Sequence, residues 1–139
     1  MSESMKHLIL SSLLTFVPVL PATAQDWALE GYDAVAYANG RAMPGRSEIA
    51  TMWRGQLWHF ASEANRDRFE ANPNAYAPAF GGLCPVSLLE GRKVAGDPRH
   101  FAIVGKQLYL LRSDSAEQRL WKAPRQVLRD AKQAFVTLR

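Results

Sequence analysis

The sequence predicts an α+β fold: two copies of a three-strand-plus-helix unit, β-β-β-α, packed as one small domain and closed by a C-terminal helix. Three observations carry that reading. The 139-residue chain has a globular composition, 47% hydrophobic and 22% charged. Shifted by 51 residues it repeats itself, with ten of the 43 pairs between 31–73 and 82–124 identical. Each copy also runs from alternating, strand-like stretches with glycine turns into a helix-like segment.

The identities keep register across the unit. Gly31 falls on Gly82, Gly40-Arg41 on Gly91-Arg92, Gly45 on Gly96, Gln56-Leu57 on Gln107-Leu108, and Pro73 on Pro124. A first strand is expected at 34–38 and 86–89, ended by Gly40 or Gly91. A second is expected at 48–53 and 100–104. Arg54-Gly55 and Gly105-Lys106 read as two-residue hairpin turns. The third strand, 56–61 or 107–111, alternates. Trp58 and Phe60 share one face, and Leu57 and His59 the other, so His59 reads as a surface residue. Ser62 and Ser113 are placed to cap the helices that follow, and Asn72-Pro73 closes the first of them. Beyond Pro124, Val127, Leu128, Ala131, Ala134 and Phe135 recur at helical spacing. Tyr76, Pro78, Phe80, Gly81 and Gly82 form an aromatic linker between the copies. Trp53, Trp58, Phe60, Phe69, Phe101, Leu108, Leu110 and Trp121 are the expected core.

Residues 1–24 read as a signal peptide. Lys6 and His7 precede an apolar run from Leu8 to Leu20, too short to cross a bilayer, and Ala22-Thr23-Ala24 has the small-x-small form of a cleavage site. The destination this implies is periplasmic or secreted, with no membrane span in the mature chain, 25–139. Removing 24 of 139 residues leaves 115, enough for one core. Without Lys6 and Glu3, the 17 basic and 13 acidic side chains become 16 and 12, still +4. The basic residues are scattered, which argues for a solvated surface and no nucleic-acid partner.

Cys84 is the chain's one cysteine, so no internal disulfide can form. It is either buried and inert or a thiol kept for its chemistry. No phosphate-binding glycine loop or serine nucleophile elbow is present, and the carboxylates are dispersed. Asp33 matches Cys84 across the repeat and reads as a cap for its own turn.

The residues Gly31-Tyr32-Asp33-Ala34-Val35, Trp58-His59-Phe60-Ala61-Ser62 and Gly81-Gly82-Leu83-Cys84 together resemble the YHS domain family, over residues 30 to about 112. The likeness is to its exported single-domain members, with a Gly-Tyr-Asp opening, a Trp-x-Phe-x-Ser strand end and a Gly-Gly-x-Cys turn. It implies a small treble-clef-like module and soft-metal binding (copper or another heavy metal), or a metal-handling protein as partner. Exported members share a redox-active chalcogen at that turn, which keeps a thiol-redox role for Cys84 open.

The chain departs from the family's metal-binding pattern. Metal-binding relatives have one Cys near the domain start and a Cys-x-x-x-Cys pair at the strand-to-helix turn. Here the turn positions hold Ala61 and Asn65, or Arg112 and Ala116, which argues against a tetrahedral sulfur site. A looser soft-ion site would draw on Cys84, His59 and His100, with Met43 or Met52 as thioether donors. The sequence thus predicts a non-catalytic soft-metal or metal-handling accessory module. The competing readings are a thiol-redox protein using Cys84 and an interaction module presenting Trp53, Trp58 and Phe60.

Overall fold

The computed structural model describes residues 16–18 and 26–138. Most of the expected signal peptide therefore lies outside the described residues. The chain is α+β. Two antiparallel hairpins, β1 (Arg46–Trp53) with β2 (Gln56–Phe60) and β3 (Asp97–Val104) with β4 (Gln107–Leu111), form two separate two-stranded sheets. The α-helices are α1 (Glu63–Ala71), α2 (Pro85–Leu89), α3 (Asp114–Lys122) and α4 (Pro124–Thr137). Among the described residues no helix is long and apolar enough to cross a membrane.

The hairpins and the helices α1 and α3 lie where the sequence puts them. Ser62 Oγ accepts from Asn65 N at 3.1 Å and Ser113 Oγ from Ala116 N at 3.2 Å, satisfying one free donor at each helix start. Each hairpin carries a register shift near its far end, between Arg46 and Ala50 in one and between Asp97 and Phe101 in the other. There the chain crosses closely over its own hairpin. A Cβ on Gly45 would overlap the backbone of His59, and one on Gly96 would overlap Leu110. Only glycine fits either crossing.

The expected first strands are not strands. Residues 34–38 enter a 3-10 helix, Ala36–Asn39, and residues 86–89 belong to α2. The cause is local. Asp33 Oδ1 accepts from Val35 N at 2.8 Å and Ala36 N at 3.3 Å, curling the chain as it leaves residue 33. In the other half Pro85 stands at the first turn of α2, where its fixed φ suits a helix. The order of elements in each half is therefore helical turn, hairpin, helix, and not β-β-β-α.

Three apolar clusters hold the molecule together. One gathers Val35, Ile49, Trp58, Phe60 and Phe69; a second gathers Cys84, Val86, Leu111, Ala116, Leu120 and Val127. The third joins the halves through Tyr37, Leu108 and Leu110, with Phe101 packed against it. There the Tyr37 hydroxyl donates to Pro98 O at 2.7 Å, and burial pushes its pKa upward, which keeps that proton in place. Trp121 departs from the expected core at 53% exposure, because α3 turns Ala116 and Leu120 inward. Trp58 and Phe60 are 5% and 0% exposed, so the face proposed for binding another protein is inside the fold.

The end of α2 is tied to the second hairpin and α3 through Glu90. Arg112 reaches it with two bonds of 3.0 Å, Arg92 with one of 2.7 Å, and Arg119 lies 3.4 Å away. Arg112 and Arg92 hold the Glu90 carboxyl down at about 2. Its folded value lies below its unfolded one, so its contribution is present above the ordinary carboxylate range. That contribution fades as pH falls from about 4.5 to about 2. Urea unfolding across that window should show Glu90→Gln less stable than the parent at pH 7 and nearly equal to it at the acid end.

Candidate functional site

Asp33 is fully buried, and its carboxylate is the most heavily bonded group in the first half. Besides the two bonds at Oδ1, Oδ2 accepts from Ala61 N at 2.8 Å and from Asn65 Nδ2 at 2.7 Å. Its backbone N–H donates to Met43 O at 2.8 Å. A buried carboxylate is costly unless hydrogen bonds replace its water, and four N–H groups do so here. These partners arrive from separate elements: residues 35 and 36 from the turn, Ala61 from the end of β2, Asn65 from the first turn of α1. Asp33, Ala61 and Asn65 thus converge on one point. What meets there is an acid, a backbone N–H and an amide, which form a closed lock with no soft donor.

In the second half the same corner is apolar. Cys84 is 0% exposed and packs with Leu111, Ala116 and Leu120. Arg112, at the position matching Ala61, turns away to Glu90 and to Ser87 Oγ at 2.5 Å. The thiol has neither an open face nor a hydrogen-bonded base, and the nucleophile it would supply has no route to a substrate.

The two histidines lie elsewhere. His59 is 2% exposed, contrary to the surface placement its alternation suggests. The segment before the first half explains it. Leu57 N donates to Asp26 O at 2.9 Å and Gln56 Nε2 to Asp26 Oδ2 at 3.0 Å, strapping residues 26–27 beside β2. The Trp27 ring then covers His59, with centroids 4.4 Å apart. His59 Nε2 has no hydrogen-bond partner among the described residues. His100 is half-buried, with Nδ1 3.6 Å from Glu117 Oε1 on α3. Met52 is 51% exposed on β1. No group of three or more His, Cys, Asp or Glu is gathered among the described residues so as to hold a metal ion. The proposed donors do not fit a resident soft ion.

A cavity of about 360 Å³ opens between the halves. Trp27, Trp53 and Trp58 line it from one side and Gly82, Gly96 and Leu110 from the other. Asp26, Glu30 and Arg54 bring charge to its lining. Arg54 is already engaged, stacked 4.3 Å over the Trp53 ring and donating to Asn74 Oδ1 at 3.2 Å.

The YHS domain family model matches residues 34–80. Over that span the chain is similar to the YHS domain family. No curated protein and no solved structure matches the chain. The matched span contains the first hairpin and α1, with Ala61 and Asn65, and starts one residue after Asp33. Cys84 lies beyond it.

Sequence reasoning placed Ala61, Asn65 and Asp33 in the YHS pattern without bringing them together. The signal was present: an aspartate in the cysteine position, opposite an asparagine where sulfur would otherwise stand. The strap of Asp26 and Trp27 was missed, because its only local mark is an aromatic residue four positions before Gly31. Asp33→Ala would leave several buried N–H groups without an acceptor. Chemical denaturation should show a loss on the order of 3 kcal/mol. Asn65→Ala should cost less on its own, and almost nothing further in the Asp33→Ala background.

Proposed function

We propose that this chain is an exported, non-catalytic YHS module of soft-metal handling that works by recognising a ligand or partner and not by holding the ion itself. The sealed Asp33 lock carries this reading. Its carboxylate spends all four bonds within the fold, at the point where relatives would present sulfur. The burial of Cys84 supports it too, since a thiol at 0% exposure offers no ligand to an incoming ion. The metal connection comes from the family alone. The thiol-redox alternative has no exposed sulfur in its favour.

The two halves are read as copies of one treble-clef-like unit. Their strands, α1 and α3 recur at an offset of 51, and so do the glycine crossings at Gly45 and Gly96. One copy closes its corner with a hydrogen-bonded acid and the other with apolar packing around a thiol. Neither keeps a site for chemistry, and the open space lies between them. The leader at 1–24 directs the module to the periplasm or outside the cell.

Native mass spectrometry of residues 25–139 with Cu(I) or Zn(II) tests the reading. Neither ion should bind stoichiometrically in a manner that Cys84→Ser removes. One equivalent bound by the parent and lost in that variant would overturn it. Cell fractionation supplies the second check: a product cut after Ala24 in the periplasm or medium is expected, and an uncut membrane-retained form would refute export.

A further inference from the structure

We propose that the cavity between the halves binds a small planar aromatic amine, a ligand class that deepens the recognition reading and rests on it. The molecule contains its own template for the aromatic part. In the first half the Trp27 indole lies in a shallow dish formed by Gly31 and His59. A Cβ on Gly31 would stand 3.2 Å from both Trp27 Cε3 and His59 Nδ1, so the bare glycine leaves the ring uncrowded. At the offset of 51, Pro78, Gly82 and Leu110 take the places of Trp27, Gly31 and His59. The second dish has the smaller pyrrolidine ring where the first has an indole. A Cβ on Gly82 would still have Pro78 Cγ at 3.8 Å and Leu110 Cδ1 at 4.0 Å, an ordinary separation. All three residues line the cavity of about 360 Å³. That volume falls at the small-ligand end of the range for binding pockets. The space left by the missing indole is thus bounded by glycine and leucine below and by tryptophan rings opposite, surfaces that suit a flat aromatic ring.

The charge follows from the lining. Among the described residues the Glu30 carboxylate makes no hydrogen bond or salt bridge and meets Arg99 only through its field, and the Asp26 carboxylate accepts from the neutral Gln56 amide. Arg54, the cation there, is spent on Trp53 and Asn74. An ammonium on a short arm would meet an available carboxylate, whereas a carboxylate on the same arm would meet two like charges.

Calorimetric titration of residues 25–139 with tryptamine and with indole-3-acetate tests both parts, since the ring is the same and the charge opposite. Tryptamine should bind with one-to-one stoichiometry, at least about tenfold more tightly than indole-3-acetate. Glu30→Gln should weaken tryptamine roughly two- to fivefold, the range an exposed ion pair carries. Ala95→Trp, which fills the cavity from an exposed position in its lining, should abolish binding while circular dichroism and the melting temperature stay near those of the parent. Failure of tryptamine to bind, equal affinity for both compounds, or full binding by Ala95→Trp would each overturn the proposal. None of these outcomes changes the Cys84-dependent metal result, so failure of the ligand class and failure of the recognition reading are told apart.

Discussion

The Asp33 carboxylate is the constraint on which the first half depends. Removing a charged group from water is unfavourable unless donors surround it, and this one is met by three backbone N–H groups and one amide. Those donors belong to the turn at 35–36, the end of β2 and the start of α1, so a single side chain fixes where three elements meet. The cluster of Val35, Trp58, Phe60 and Phe69 lies in the same half as that corner. Ser62, capping α1 one residue after Ala61, sets the direction in which the helix leaves.

The second half reaches the same outline by different chemistry. Where the first has an acid, an alanine and an asparagine, it has a thiol, an arginine and an alanine. The thiol and the alanine join the apolar core, and the arginine swings out to Glu90. Geometry common to both halves resides in the glycine crossings, the hairpin register shifts and the serine caps. The side chains at the two corners differ, and each set satisfies its own polar atoms.

Which parts of this were legible follows from the range of each signal. The hairpins, both serine caps and α4 declare themselves over a few residues, through turn pairs, hydroxyls and helical spacing. The short runs at 34–38 and 86–89 do not, because four or five residues fit a strand or a helical turn equally well. Asp33 and Pro85 were the local marks that favoured the turn. His59 misled for another reason: alternation reports which residues share a face and says nothing of what covers that face, and Trp27 covers it from outside the hairpin. Trp121 was assigned to the core on hydrophobicity, whereas its position on α3 decides the matter. The candidate cavity was not legible at all, since it exists only once the two halves are packed together.

The placement of Cys84 has a consequence for the life of the chain outside a reducing environment. A solitary sulfhydryl on the surface would pair with glutathione or with a sister molecule, producing adducts and cross-linked dimers. Enclosed by Leu111, Ala116 and Leu120, it meets such agents only while the second half is still unfolded. Closure of that core thus acts as chemical protection for the thiol in the folded form.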